Sequence, residues 1–234
     1  EKTATCEVTV NDIIDIPDAN FKECLIRHFD TNKDGEISIA ETKNITSINC
    51  QGDFIQSLEG IQYFADLREL DCSYNELTTL DLSKSTKLIF LSCNKNNLTT
   101  LDVSNNTKLE HLSCYENDLS ALDISNNAML LYLDCGSNKL ASLDVSKSIK
   151  LVELSCYRNQ ITTLDLSKNV ELQDLVCNEN NLSTLELSEN VELDMLSCSD
   201  NQLTTLDISK NTKLQKIRCA GNQLTVLDLS SYEV

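Results

Sequence analysis

One column of cysteines constrains this chain more than any other feature. Cys72, Cys93, Cys114, Cys135, Cys156, Cys177, Cys198 and Cys219 stand 21 residues apart without a slip. Asn75, Asn96, Asn117, Asn138, Asn159, Asn180, Asn201 and Asn222 keep the same phase. So do Leu77, Leu98, Leu119, Leu140, Ile161, Leu182, Leu203 and Leu224. The shared unit reads L-x-x-L-x-C-x-x-N-x-L-x-x-L-D-[LVI]-S-x-x-x-x, and chance does not hold several columns in phase over eight copies. A fixed period of this size implies stacked units, each burying its apolar face against its neighbours and not around one centre. A globular core of this length would use aromatics and glycine freely; here aromatics are 5%, with no Trp, 5 Gly and 1 Pro.

The unit resembles the leucine-rich repeat, with Cys at the third apolar position of the strand segment. That resemblance implies an α/β-repeat fold: a right-handed solenoid with parallel β-strands on its concave face. The short L-x-L-x-C stretch supplies one strand per turn. The LDLS half returns along the convex side, with Leu inward and Asp and Ser outward. The Asn column falls at the turn leaving the strand, where its amide can satisfy backbone groups otherwise buried unpaired. A degenerate earlier copy (Ile45, Ile48, Cys50, Asp53, Ile55, Leu58) is one residue longer, and its SLEGIQYFADL tail resembles the 22-residue repeats of internalin-type proteins. Residues 44–234 thus form about nine repeats, on the order of 45 Å long at ~4.8 Å per strand.

Stacked inward thiols lie ~4.8 Å apart, whereas a disulfide needs Cβ atoms ~3.8 Å apart. Zinc needs clustered ligands, not one per turn in an apolar row. The ladder thiols are therefore expected in the core. The column Asp81, Asp102, Asp123, Asp144, Asp165, Glu186, Asp207 and Asp228 lacks the glycine-rich signature of calcium β-rolls, and reads as a solvated face with local turn hydrogen bonds.

A solenoid needs its first turn covered. Residues 13–43, after an N-terminal extension at 1–12, suit that role. Pro17 and Asp18 open a helix, and Phe21, Cys24, Leu25 and Phe29 then share one face. His28 lies on the same helix with no partner at ligand spacing and is expected on the surface. The helix runs into DTNKDGEISIAE at 30–41, which is similar to the EF-hand loop D-x-N-x-D-G-x5-E at every defined position. The resemblance implies Ca2+ held by Asp30, Asn32 and Asp34 side chains, the Glu36 carbonyl, Ser38 directly or through water, and both oxygens of Glu41. Gly35 would permit the sharp turn and Ile37 the apolar eighth position. Room remains for only about one helical turn before the first strand, and no second EF-hand follows. The expected role is a calcium that fixes the cap, not a sensor. Cys6 and Cys24 stand outside the ladder; a disulfide between them and a simple core Cys24 are both open readings.

The formal charge of −18 leaves no basic stripe for nucleic acid, and no apolar run is long enough for membrane insertion. The chain begins EKTATC without a signal peptide, so export is not visible in these residues. Only His28 and His111 are available for acid–base work, and an open strand row offers neither pocket nor oxyanion donors. No enzyme is expected.

A ligand would meet the variable positions flanking the fixed Leu and Cys. Phe90, His111, Tyr115, Tyr132 and Tyr157 cluster there, and Tyr115 and Tyr157 flank Gly136, which predicts a notch between two rings. Tyr suits recognition because it offers large contact area at little entropy cost. The reading is a secreted or cell-surface module that binds a protein or peptide on its concave face. A glycan-binding surface and a structural spacer are the alternatives. The last turn presents Leu214, Ile217, Cys219, Leu224, Leu227 and Leu229 at an edge, expected to be covered by Tyr232 and Val234 or by a second copy, as a homodimer.

Overall fold

The computed structural model describes residues 13–229. They form one parallel nine-stranded sheet wound as a solenoid, with a single helix at its N-terminal end. The strands are β1 (Ser47–Asn49), β2 (Glu69–Asp71), β3 (Phe90–Ser92), β4 (His111–Ser113), β5 (Tyr132–Asp134), β6 (Glu153–Ser155), β7 (Asp174–Val176), β8 (Met195–Ser197) and β9 (Lys216–Arg218). Each pairs with the next in sequence order, Leu70 on Leu91 on Leu112 and onward. The offset is 22 residues from β1 to β2, where Ile48 pairs with Leu70, and 21 thereafter. The one-residue surplus of the first copy is absorbed outside the strand, in a stretch that includes a 3-10 turn at Ile61–Tyr63.

Every strand is three residues long, and its middle Leu or Ile faces the core. Leu70, Leu91, Leu112, Leu133, Leu154, Leu175 and Leu196 are buried, as are the Cys rungs from Cys50 to Cys198. Burial pushes the Cys93 thiol up to about 12, so it stays protonated and behaves as a small hydrophobe. In the last turn Ile217, Cys219, Leu224 and Leu227 are only partly covered. Cys6, Tyr232 and Val234, invoked above for a disulfide and an edge cover, lie outside the described residues.

The Asn column does what its position requires. Asn138 Nδ2 donates to the carbonyls of Cys135 in its own turn and Cys114 in the preceding one, both at 3.1 Å, while its Oδ1 accepts the Leu119 N–H at 3.0 Å. The same bonds recur at Asn75, Asn96, Asn117, Asn159, Asn180, Asn201 and Asn222. A second ladder, not read from the sequence, lies on the opposite wall. Asn106, Asn127, Asn169, Asn190 and Asn211 are buried and donate through Nδ2 to carbonyls one turn earlier.

The helix α1 (Ala19–Phe29) buries Phe21, Cys24 and Leu25 against the first turn, with Phe29 partly buried against Phe64. His28 is exposed. Asp18 joins cap and solenoid. Its Oδ1 accepts the N–H groups of Asn20 and Phe21, and its Oδ2 those of Gln56 and Ser57 at 2.7 and 2.9 Å. Burial opposes ionisation of Asp18, but these four donors outweigh it and lower its pKa. Residues 39–44 form turns and no second helix.

Asn138→Ala would leave the Leu119 N–H buried without a partner and take one of two amide donors from each of the Cys114 and Cys135 carbonyls, which keep Asn117 and Asn159. At roughly 1–3 kcal/mol for the orphaned N–H, with the weakened carbonyl contacts added, the expected loss is about 2–3 kcal/mol. Asn138→Asp keeps the acceptor but turns the donor into an oxygen facing carbonyls, and should lose as much. Urea denaturation followed by circular dichroism checks both; a loss within 1 kcal/mol of zero, on the order of a surface substitution, would deny the ladder its role.

Candidate ligand-binding face and cap loop

The 21-residue register aligns equivalent side chains of neighbouring turns. Phe90, His111 and Tyr132 open β3, β4 and β5, so their rings stack along the solenoid axis. Phe90 and His111 centroids are 4.5 Å apart at 25°, and His111 and Tyr132 are 4.1 Å apart at 10°. All three rings are half-buried although they stand on an open sheet. Burial lowers the His111 pKa and its Nδ1 is buried without a hydrogen-bond partner, so the ring is neutral at pH 7. Its ring contacts are aromatic, with no nucleophile at hydrogen-bond distance among the described residues. Burial, with Asp134 and Glu153 nearby, pushes Tyr132 up to about 12. Asp134 ends the same strand; burial raises its pKa, opposed by the Gly136 N–H it accepts at 3.0 Å.

The expected notch at Gly136 is absent. A Cβ built on Gly136 would overlap the Tyr157 ring, which lies over this glycine. Gly136 therefore contributes by having no side chain, which lets Tyr157 fold down across the preceding turn. Tyr115 leans away from Gly136, toward the earlier turns, its hydroxyl 3.5 Å from that of Tyr74. The hydrogen bond to Tyr74, then burial, push the Tyr115 pKa up. Lys95 lies between these two tyrosines in sequence, with Nζ 4.8 Å from the Tyr74 ring centroid and 3.5 Å from Glu116.

Tyr74 was not among the sequence-derived candidates because it stands one position beyond the rows read above. That position has its own signature. Tyr74, Lys95, Glu116, Ser137, Arg158, Glu179 and Asp200 all have φ between 50° and 57°, and Gly52 and Gly221 take the same place at the two ends. A non-glycine residue there costs roughly 1 kcal/mol. Seven such residues in a row hold a rim of side chains beside the concave face, including an Arg158–Glu179 ion pair at 3.0 Å.

In the cap loop, Asp30 accepts the N–H groups of Lys33 and Gly35 at 2.6 and 3.0 Å. Asn32 Oδ1 accepts from Asp34 N–H and Asp34 Oδ1 from Glu36 N–H, each at 2.9 Å. Gly35 has φ 80°, the left-handed turn expected of it, and Ile37 is fully buried. Ile14 N–H donates to the Ile37 carbonyl at 2.9 Å, so residues 13–14 pair with the strand-like part of the loop. The Glu36 side chain forms an ion pair with Lys22 at 2.6 Å. Glu41 departs from the expected arrangement. Its Oε1 accepts from Thr31 N–H and Oγ1, and its Oε2 from Ser38 N–H and Oγ, at 2.8–3.0 Å. Among the described residues no three His, Cys, Asp or Glu side chains converge as a metal group. The loop thus has hard oxygen donors and the expected turn chemistry, but its closing carboxylate is engaged with the loop's own donors.

No known protein-family profile matches the chain. A 70-residue segment, 30% of the chain, is 39% identical to Internalin J of Listeria monocytogenes and covers 8% of that protein. The whole fold is similar to the functional domain of InlJ from the same organism, described as including a cysteine ladder. There the TM-score is 0.77 at 38% identity, over 92% of this chain and 53% of that one. A leucine-rich-repeat ectodomain of an Arabidopsis thaliana receptor kinase, solved with Casparian strip integrity factor 2, gives 0.74 at 22% identity, over 83% of this chain and 26% of that one. The chain spans about half the length of the InlJ domain it matches. The solenoid is internalin-like.

On the convex side of this internalin-like solenoid, Asp81, Asp102, Asp123, Asp144, Asp165 and Asp207 each accept the N–H of the serine two residues on, at 2.8–2.9 Å. The acidic column is a series of local turns, as its spacing suggested.

Glu41 gives the cap a measurable pH dependence. Burial raises its pKa, but the bonds from Ser38 and Thr31 outweigh burial and hold it at about 2. A depressed carboxylate contributes stability above its unfolded value, here near 4.5, and loses it as pH falls through about 2. The difference in melting temperature between the native protein and Glu41→Gln should therefore be full at neutral pH and shrink across that window. A constant difference would show that the carboxylate charge is not what holds the loop.

Proposed function

We propose that this protein is an exported recognition module whose concave face binds a protein or peptide ligand, and whose cap loop takes a calcium ion. The ring stack of Phe90, His111 and Tyr132 carries the binding half of this reading. Strand residues on an open face have no packing requirement for large rings, yet three adjacent turns supply them. Tyr74, Tyr115 and Tyr157 extend the aromatic surface along the rim. A spacer would gain nothing from such a row. The stacked rings use their faces on one another, which leaves edges to the ligand; sugars stack on ring faces, so a glycan is the weaker alternative. Likeness to internalins and to a ligand-bound receptor ectodomain supports a binding scaffold over an enzyme. It also supports a secreted or surface location, and no described helix is long and apolar enough to cross a membrane.

For calcium, Asp30, Asn32 and Asp34 would give side-chain oxygens, Glu36 its carbonyl, and Ser38 and Glu41 the remaining donors. The ion would cross-link the end of α1 to the loop that enters the first turn, and so stabilise the cap. Binding requires Glu41 to exchange its N–H and hydroxyl donors for the metal, which limits affinity.

Phe90→Ala with Tyr132→Ala should weaken ligand capture by ~2 kcal/mol or more, about 30-fold, while changing stability little. Asp144→Ala with Asp165→Ala is the convex control. Capture from a surface-protein extract and from a glycan array, run with both pairs, separates the readings. A partner kept by the ring variant but lost by the convex control would put the site on the other face. For calcium, a chelator should lower the melting temperature of the native protein and leave Glu41→Gln unchanged. Absence of calorimetric heat when calcium is added to chelator-treated protein would make the loop a plain turn.

A further inference from the structure

A second surface, on the flank where each turn re-enters its strand, has a pattern that the concave-face reading does not use. One position per turn is exposed there: Thr86, Thr107, Ala128, Ile149, Val170, Val191 and Thr212. The outer turns show that a polar residue fits. Three consecutive central turns nevertheless carry Ile149, Val170 and Val191, exposed by 54%, 47% and 44%. Met129 and Leu131, exposed beside them, widen the stripe. Isolated apolar side chains on a surface are ordinary, but a contiguous row replacing threonine marks a contact.

The charges around the stripe say which contact. The Ile149 turn carries Lys147 and Lys150, the Val170 turn Lys168 and Glu171, and the Val191 turn Glu189 and Glu192. Net charge thus runs from positive through zero to negative, and inverts about Val170. We infer that this flank is a self-complementary interface, at which a second copy of the chain docks with its turns in reverse order about a two-fold axis through Val170. In that arrangement Val170 meets Val170 and Ile149 meets the second copy's Val191. Lys147 faces Glu189, and Lys150 faces Glu192. The like pairs Lys168 with Lys168 and Glu171 with Glu171 on the axis are outnumbered, whereas docking with the turns in the same order would set Lys147 against Lys150 and Glu189 against Glu192 and gain only Lys168 with Glu171. Lys147 and Glu189 make no ion pair within the chain among the described residues. Lys150 Nζ rests 3.7 Å from Met129 Sδ, and Glu192 pairs with Lys213 through side chains that remain about half exposed. The three rungs span only ~10 Å, so the contact is smaller than a standard interface of ~800 Å² per partner and the dimer is weak.

Sedimentation velocity of the full chain, from about 1 to about 500 μM, should show a concentration-dependent monomer–dimer equilibrium weakened at high salt. Val170→Lys, on the axis, should abolish it without lowering the melting temperature. Lys147→Glu alone should weaken the dimer roughly tenfold or more, and adding Glu189→Lys should restore it. Val170→Cys should yield a cross-linked dimer on mild oxidation, whereas Thr107→Cys, in the same column off the stripe, should not. A single monomeric species at every concentration overturns the proposal. So does a dimer that survives Val170→Lys, or a charge swap that fails to rescue.

Discussion

The carboxamide of the strand-exit asparagine is the interaction on which the rest of this structure depends. After each three-residue strand the chain turns through a left-handed residue, leaving N–H and C=O groups inside a core that water does not reach. An amide is the one side-chain group with both donors and an acceptor in a plane, and each Asn uses both ends. Its Nδ2 bridges the Cys carbonyls of its own and the preceding turn, and its Oδ1 takes the preceding turn's N–H. Shortening or lengthening the strand-exit segment itself would move these atoms out of reach, whereas the return half can absorb a residue. The first copy keeps the bond despite its extra residue because Asn75 still accepts from Ile55 N–H and donates to the Cys50 carbonyl. Register between turns is thus a hydrogen-bond constraint, and apolar burial supplies the driving force behind it.

Strict register makes surface features out of repeated substitutions. Aromatic residues in one column on three adjacent turns become a continuous stack, Phe90 to Tyr132. Opposite charges 21 residues apart become ion pairs, as with Lys95 and Glu116 or Arg158 and Glu179. Val or Ile in place of Thr on three turns becomes an apolar stripe. The interior columns barely vary, so a solenoid of this kind differentiates almost entirely through which exposed columns change together.

That division explains what could be read from the sequence. Strand phase, the Cys and Asn ladders, the concave rows and the local turns of the Asp column follow from periodicity, because a column constant over eight turns has one environment. The second Asn ladder was obscured by Ser85 and Ser148, which occupy the same buried column; what marks it is that only Asn and Ser occur there from Ser85 to Asn211. The left-handed column varies freely in side chain, since its constraint is on the backbone and leaves no residue signature. Rotamers were beyond reach. Tyr115 and Tyr157 are equivalent in the repeat, yet one turns toward Tyr74 and the other lies over Gly136, because Gly136 alone leaves that space open. In the cap, the loop pattern correctly gave the turn at Gly35 and the buried Ile37, but could not give the direction of the Glu41 carboxylate. That direction depends on the competing donors Thr31 and Ser38.

The cap itself follows from the same requirement as the ladder. The first turn has no predecessor, so its outward groups need partners of another origin. Asp18 Oδ2 takes the N–H groups of Gln56 and Ser57, and Asn20 Nδ2 donates to the Phe54 carbonyl. The thiols complete the imitation. Cys50 Sγ donates to the Asp71 carbonyl and Cys72 Sγ to that of Ser92, both at 3.5 Å, each reaching the last residue of the next strand. Cys24, on α1, reaches the Asn49 carbonyl at the end of β1 at 3.4 Å. The helix therefore places a cysteine where a preceding turn would have placed one. Cys24 is the rung before the first strand, which accounts for its complete burial as a core thiol. A helix that buries Phe21, Cys24 and Leu25 against β1 is thus shaped to the solenoid's repeat, and its fit depends on spacing fixed by the Asn ladder behind it.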